Sequence, residues 1–172
     1  MSLTPEQLER YARHIMLREI GGPGQKRLKA SKVLVVGAGG LGSPVLLYLA
    51  GAGVGVIGVI DDDVVEGSNL QRQVIHSGAL LGVNKASSAA ARVSDLNPDV
   101  SVEVVQQMAT PDSLAELLPT VDLALDCCDT YGAKFMISDA CAAAGTPVVW
   151  ASAVGMQGQV SVFGVPSDEG RA

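Results

Sequence analysis

A glycine loop held between two apolar runs constrains this chain more than any other feature: Val33-Leu-Val-Val36 leads into Gly37-Ala-Gly-Gly-Leu-Gly42, and an apolar pattern from Leu41 to Leu49 leads away. A buried run, a glycine turn and an amphipathic stretch in that order specify a strand, a tight loop and a helix, whose N-terminal amides can hold a phosphate. A glycine loop alone is a weak signal, and this context makes it a nucleotide site. A second β-rich run, Gly55 to Ile60, ends in Asp61-Asp-Asp63, about twenty residues past the loop, where a βαβ nucleotide fold places a ribose-binding acid. Ser68-Asn-Leu-Gln-Arg72 follows, and then Lys85. A dinucleotide has no evident need of those two cations, which point to a triphosphate.

A chain of 172 residues with 48% hydrophobic content, 20 glycines and 3% aromatic residues suits one α/β domain with an aliphatic core and many tight turns. The formal charge of −6 argues against nonspecific nucleic-acid binding, which relies on clustered Lys and Arg, so any anion site must be local. Cys127, Cys128 and Cys141 form no CxxC pair and are too few for a disulfide framework, so a reducing cytoplasm is the expected location. The N-terminus has neither a basic nor an apolar leader region, and no run reaches the roughly 18 apolar residues of a membrane span. Gly164 to Ala172 is a polar loop directly after a strand-like segment, which suggests truncation at the C-terminus.

Helix and strand signals alternate along the chain. Thr4-Pro5-Glu6-Gln7 reads as a capping box opening a helix to about Glu19. Gly21 to Gly24 breaks it, and a short helical piece runs from Gln25 to Ala30. Strands are expected at Lys32 to Val36, Gly55 to Ile60, Ser101 to Gln107, Val121 to Leu125 and Pro147 to Trp150. Helices are expected at Leu41 to Ala52, Asn84 to Leu96, Pro111 to Leu118 and Tyr131 to Ala144. The alternation specifies a Rossmann-like, mostly parallel sheet with helices on both faces and ligands at the carboxyl ends of the strands. Gln159 to Val165 follows too closely for a crossover helix and is expected to be antiparallel.

The candidate residues lie at or beyond strand ends, so Asp61, Asp63, Asn69, Arg72, Lys85 and Asp129 are expected to converge on one crevice. Asp61 can accept hydrogen bonds from ribose hydroxyls. Arg72 offers a planar fork and Lys85 a point charge to phosphate, although either can equally be an exposed cation. Asn69 and Gln73 offer amides to phosphate oxygens, and Asn69 reads equally well as a turn residue. Asp129 can hold Mg²⁺ or cap the following helix. His14 and His76 read as surface or internally satisfied residues, and no base lies near Cys127 or Cys128 in sequence.

Taken together, these motifs resemble the ThiF/MoeB/HesA family, bacterial relatives of ubiquitin-activating enzymes. The resemblance spans the chain: Arg10-Tyr-x-Arg13, Gly37-x-Gly-Gly-Leu-Gly42, Asp61-x-Asp63, Ser68-Asn-Leu-Gln-Arg-Gln73, Lys85, Asp126-Cys-x-Asp129 and Gly158-Gln-Val160. It implies ATP over Gly37, Gly39, Gly40 and Gly42, and an attack on its α-phosphate by the C-terminal glycine of a ubiquitin-like sulfur carrier of the MoaD or ThiS type, giving an acyl-adenylate. Asp61 and Asp63 would then serve the nucleotide, Asn69, Arg72, Gln73 and Lys85 the phosphates, and Asp129 the Mg²⁺. Arg13 would be an arginine finger delivered from the other subunit of a homodimer. Thr130 departs from the asparagine that usually follows the metal-binding aspartate, and the two zinc-binding CxxC pairs of full-length relatives are missing from this sequence. The implied unit is the ATP-binding adenylation domain, residues 1–172, of a longer or naturally short enzyme of molybdopterin or thiamine biosynthesis. The alternatives are an NAD-dependent oxidoreductase domain, for which no substrate domain is visible, and an ATP-binding module without carrier activation.

Overall fold

The computed structural model describes residues 3–165. Its centre is β1 (Lys32–Val36), flanked by β2 (Val56–Ile60) and β4 (Leu123–Asp126), with β3 (Ser101–Val105) outside β2 and β5 (Val148–Val154) outside β4. These five strands are parallel. A sixth, β6 (Gln157–Phe163), folds back antiparallel on β5 through a turn at Gly155 (φ 60°), giving the order β3-β2-β1-β4-β5-β6.

Alternation along β1 explains why the sheet is covered on both sides. Val33 and Val35 pack with Leu46 and Ala50 of α4 (Gly42–Ala52) and with Ala86, Ala89 and Val93 of α5 (Lys85–Leu96). Leu34 and Val36 pack the other way, with Leu114 of α6 (Pro111–Leu117) and with Ile137 and Cys141 of α7 (Tyr131–Ala144). Successive side chains of a strand point to opposite faces, so an unbroken apolar run demands helices on both. Helix boundaries follow cap chemistry. Asn84 accepts from the Ser87 amide at the start of α5, and α4 and α7 end on Gly53 (φ 77°) and Gly145 (φ 68°), left-handed positions that favour glycine.

The N-terminal segment departs from the expected pattern twice. The capping box at Thr4 and Gln7 is present, but the helix it opens, α1 (Pro5–Arg10), ends early, and α2 (Ala12–Ile15) begins after Tyr11. The Tyr11 ring is buried at the break. The ring lies where a side chain on Gly53 would be, and its hydroxyl accepts from Asn97 Nδ2 at 2.8 Å. The second departure is α3 (Gly21–Ala30), which takes in the glycine-proline stretch expected to break the first helix and to precede a piece from Gln25 to Ala30. Pro23 falls in the first turn, where its missing N–H costs nothing, and Gly24 leaves the space that the Ile20 side chain fills. A third difference is smaller: β5 continues past Trp150 to Val154 because its partner β6 extends with it. Residues 166–172, including most of the polar loop noted above, lie outside the described residues.

Candidate nucleotide site

The order of the strands places one crevice. The connection from β1 runs to one face of the sheet and that from β4 to the other, so the loops leaving the carboxyl ends of these paired neighbours diverge, as at the switch point of other doubly wound sheets. A cavity of about 770 Å³ opens there, lined among others by Gly37, Gly39, Asp61, Arg72, Lys85 and Asp129. A second hollow, of about 810 Å³ between α7 and β6, is walled by Phe135, Trp150, Val160 and Phe163 and holds none of the expected site residues.

Two glycines of the loop are required by the backbone. Gly37 has φ 96°, and a Cβ there would meet the Cys127 carbonyl at 3.1 Å; a Cβ on Gly42 would overlap the Gly37 carbonyl oxygen. Gly39 and Gly40 serve a different purpose. Their missing side chains face Gln73 and Arg72 across ordinary contact distances, which keeps the floor of the crevice open. Helix α4 starts at the end of this loop with no side-chain cap, so no protein side chain competes for its N-terminal amides.

Asp61 closes the loop against β2. Its Oδ2 accepts from the Ala38 amide at 2.7 Å and its Oδ1 from the Asp63 amide at 2.9 Å, each oxygen keeping a lone pair for a ligand. Burial pushes this carboxyl above the ordinary range, against the pull of those two amides and of Lys85. Asp63, exposed, pairs with Lys85 Nζ at 2.8 Å, and its carbonyl accepts from the Lys85 amide. Lys85 is only 6% exposed, so its ammonium is held at the crevice wall by a carboxylate that water reaches freely. Asn84, which caps α5, also donates to the carbonyls of Asp61 and Asp63 and so fixes β2 to the helix that carries Lys85.

Arg72 and Gln73 arrive on the turn after Gly67–Asn69, a single 3₁₀ turn. Arg72 lies beside Gly40 and donates to Asn69 Oδ1 at 3.2 Å. Gln73 is 4% exposed, and its Oε1 has no partner among the described residues. A buried acceptor without a donor is costly, and one lining a cavity is placed for a ligand or water. Asp129 stands exposed on the loop after β4, and Thr130, not Asp129, caps α7 by accepting from the Ala133 amide. The departure at Thr130 noted in the sequence thus has a local role. Cys127 and Cys128 line the same crevice, and burial pushes both thiols up to about 12.

Three expected residues are not in the crevice wall, the first being Gly42, which is buried against the Gly37 carbonyl at the start of α4. Asn69 supports Arg72 and is not part of the wall, and Arg13 is exposed on α2, away from it. Two features of the site were not anticipated from sequence. His76 is buried, donates from Nε2 to the Ala38 carbonyl and bonds Ser88 through Nδ1, so it braces the glycine loop. Lys134, under Trp150 at 5.1 Å from the ring centroid, forms an ion pair with Asp126 at 3.4 Å, both fully enclosed. The loop bearing Asp129 is strung between these two residues. An apolar-looking strand end at Asp126 and a lysine inside a helix were the available signals, eight positions apart.

Residues 11–171 match the ThiF family. The chain belongs to the ThiF family. The ThiF-family relatives include MoeZ of Mycobacterium tuberculosis, described as a probable adenylyltransferase/sulfurtransferase, which is 46% identical over 98% of this chain and 43% of its own length. The SAMP-activating enzyme E1 of Haloferax volcanii is 47% identical over 95% of this chain and 60% of that protein. Among solved structures, E. coli tRNA N6-threonylcarbamoyladenosine dehydratase TcdA, in complex with ATP, superposes with a TM-score of 0.81 and 28% identity over 87% of this chain and 61% of that one. The chain therefore spans about half the length of these ThiF-family proteins. No described helix is long and apolar enough to cross a membrane.

Proposed function

We propose that this chain is the ATP-binding part of an adenylyltransferase that activates the C-terminal glycine of a ubiquitin-like sulfur-carrier protein, in molybdopterin or thiamine biosynthesis. One observation supports this above the rest: an uncapped helix N-terminus behind a glycine loop faces the same crevice as Lys85, Arg72 and Asp129. In this reading the loop amides with Lys85, Arg72 and Gln73 hold the phosphates, Asn69 orients Arg72, and Asp61 receives the ribose. A solved relative of the same fold binds ATP, and MoeZ is described as an adenylyltransferase.

Asp129 suits Mg²⁺, which takes one or two protein carboxylates and completes its shell with phosphate oxygens and water. When bound, the ion neutralises phosphate charge; the chain's own task is to hold the triphosphate still while the carrier carboxylate attacks. That attack forms an acyl–oxygen–phosphorus bond at the α-phosphorus and expels pyrophosphate with the electron pair of the broken bond. In-line positioning and charge neutralisation suffice for it, so no protein nucleophile is required. The thiols of Cys127 and Cys128, with values near 12, supply little thiolate at neutral pH. Arg13, exposed and outside its own crevice, is available to a second subunit of a homodimer. The three free thiols suit a reducing cytoplasm.

Pyrophosphate exchange into ATP tests the reading, using the full gene product with Mg²⁺ and each ubiquitin-like carrier of its source. Exchange that depends on carrier is expected, and Arg72→Ala, a change at the crevice and not in the core, should lower it by at least about a hundredfold while leaving the fold intact. No exchange with any carrier sinks the proposal. Tight binding of NADH without ATP would point instead to a dinucleotide enzyme.

A further inference from the structure

Ala38 is held from both sides. Its N–H donates to Asp61 Oδ2 at 2.7 Å, and its carbonyl lies 2.9 Å from His76 Nε2. A carbonyl can only accept, so Nε2 carries the proton. The other ring nitrogen, Nδ1, is then a lone pair, and the Ser88 hydroxyl at 2.9 Å donates to it. These two partners select the Nε2–H tautomer of the neutral ring. Burial holds its pKa below the usual value, and Lys85 pushes it the same way, against the Ala38 bond and Asp61.

The consequence falls on Gly39. The peptide between Ala38 and Gly39 is planar and trans, so its C=O and N–H point in opposite directions. With the carbonyl drawn to His76, the Gly39 N–H must face away from His76, and Gly39 lines the crevice. Among the described residues no other hydrogen bond is made to the Ala38 carbonyl; the neighbouring peptides are held by Asp61 and by the Ser43 amide, and Gly39 makes rotation of the peptide between them inexpensive. Ser88 ties the same device to the first turn of α5, three residues after Lys85.

We propose that His76 is a positioning residue for the nucleotide, which through the Ala38 carbonyl sets the Gly39 amide to donate to a phosphate group. The inference rests on the reading of the crevice as an ATP site. His76 touches no substrate; it acts through the backbone.

Two replacements separate positioning from structural support. A glutamine amide nitrogen reaches the place of imidazole Nε2, whereas an asparagine amide nitrogen reaches only the place of Nδ1. His76→Asn should therefore weaken ATP binding to the full gene product about tenfold, and His76→Gln should recover most of that loss, with both variants unfolding at similar urea concentrations. Equal ATP affinities in the two variants overturn the proposal while leaving the adenylation reading standing. A wild-type protein that binds no ATP overturns both. Should either variant fail to fold, long-range proton–nitrogen correlation of the wild-type histidines decides: an Nε2–H ring at about pH 7 supports the device, and an Nδ1–H ring, which cannot donate to the Ala38 carbonyl, sinks it.

Discussion

Lys134 shows what a single buried charge does for this fold. It is 4% exposed and Asp126 1%, and besides that carboxylate it donates to the Ala151 carbonyl and lies against Trp150. Asp126 in turn accepts from the Cys128 amide at 3.0 Å, so the pair fixes the start of the loop that presents Asp129. Removing one member of a buried pair strands the other charge, which typically costs about 3–5 kcal/mol, whereas removing both in a shape-conserving way is far milder. Lys134→Met is therefore expected to lower stability to urea by an amount in that range. The double variant Asp126→Asn, Lys134→Met should recover at least half of it. A single variant as stable as the wild type would show that the pair contributes nothing.

Among the elements, the glycine loop, β2 and α5 act as one unit, joined by Asp61, His76 and Ser88. Their pH response follows from the two titrating groups. The folded His76 has a pKa below its unfolded value of about 6.5, so as pH falls through that value the unfolded chain takes up a proton that the folded chain refuses, and stability declines. Asp61 has the opposite sign: its folded pKa lies above its unfolded value, so it costs stability as pH rises through the folded value. The two contributions oppose each other in the acid range. Urea unfolding at about pH 7.5 and 5.5 should show a loss on acidification that is smaller in His76→Gln, and an equal loss in both would remove His76 as its source. This unit was only partly legible in the sequence. The strand, loop, helix and Asp61 stood out because glycines and an acid at a fixed interval mark a βαβ turn, but His76 has no local signature, since its partners come from positions 38 and 88.

For the whole molecule, the two helical layers share the central strands. Val33 and Val35 belong to one layer and Leu34 and Val36 to the other, so neither layer can lose its packing without exposing β1. Unfolding is expected to be one transition, with the fluorescence of Trp150, the one tryptophan, coinciding with helix loss by circular dichroism. Separate midpoints would divide the β5–β6 end from the rest. The sequence alone determined the order and kind of most elements, the parallel sheet, the glycine loop and the family, because apolar period, glycine spacing and caps are local and repeat along the chain. It misplaced the breaks near Tyr11 and Gly21, where the deciding contacts are with Gly53, Asn97 and Ile20. Only the tertiary structure decided which residues reach the crevice. It drew in Gln73 with an unpartnered oxygen, paired Asp63 with Lys85, left Asn69 behind Arg72 and Arg13 outside, and enclosed Lys134 with Asp126. Those outcomes depend on how strands far apart in sequence lie side by side, and burial and pairing across such distances leave no periodic trace in the chain.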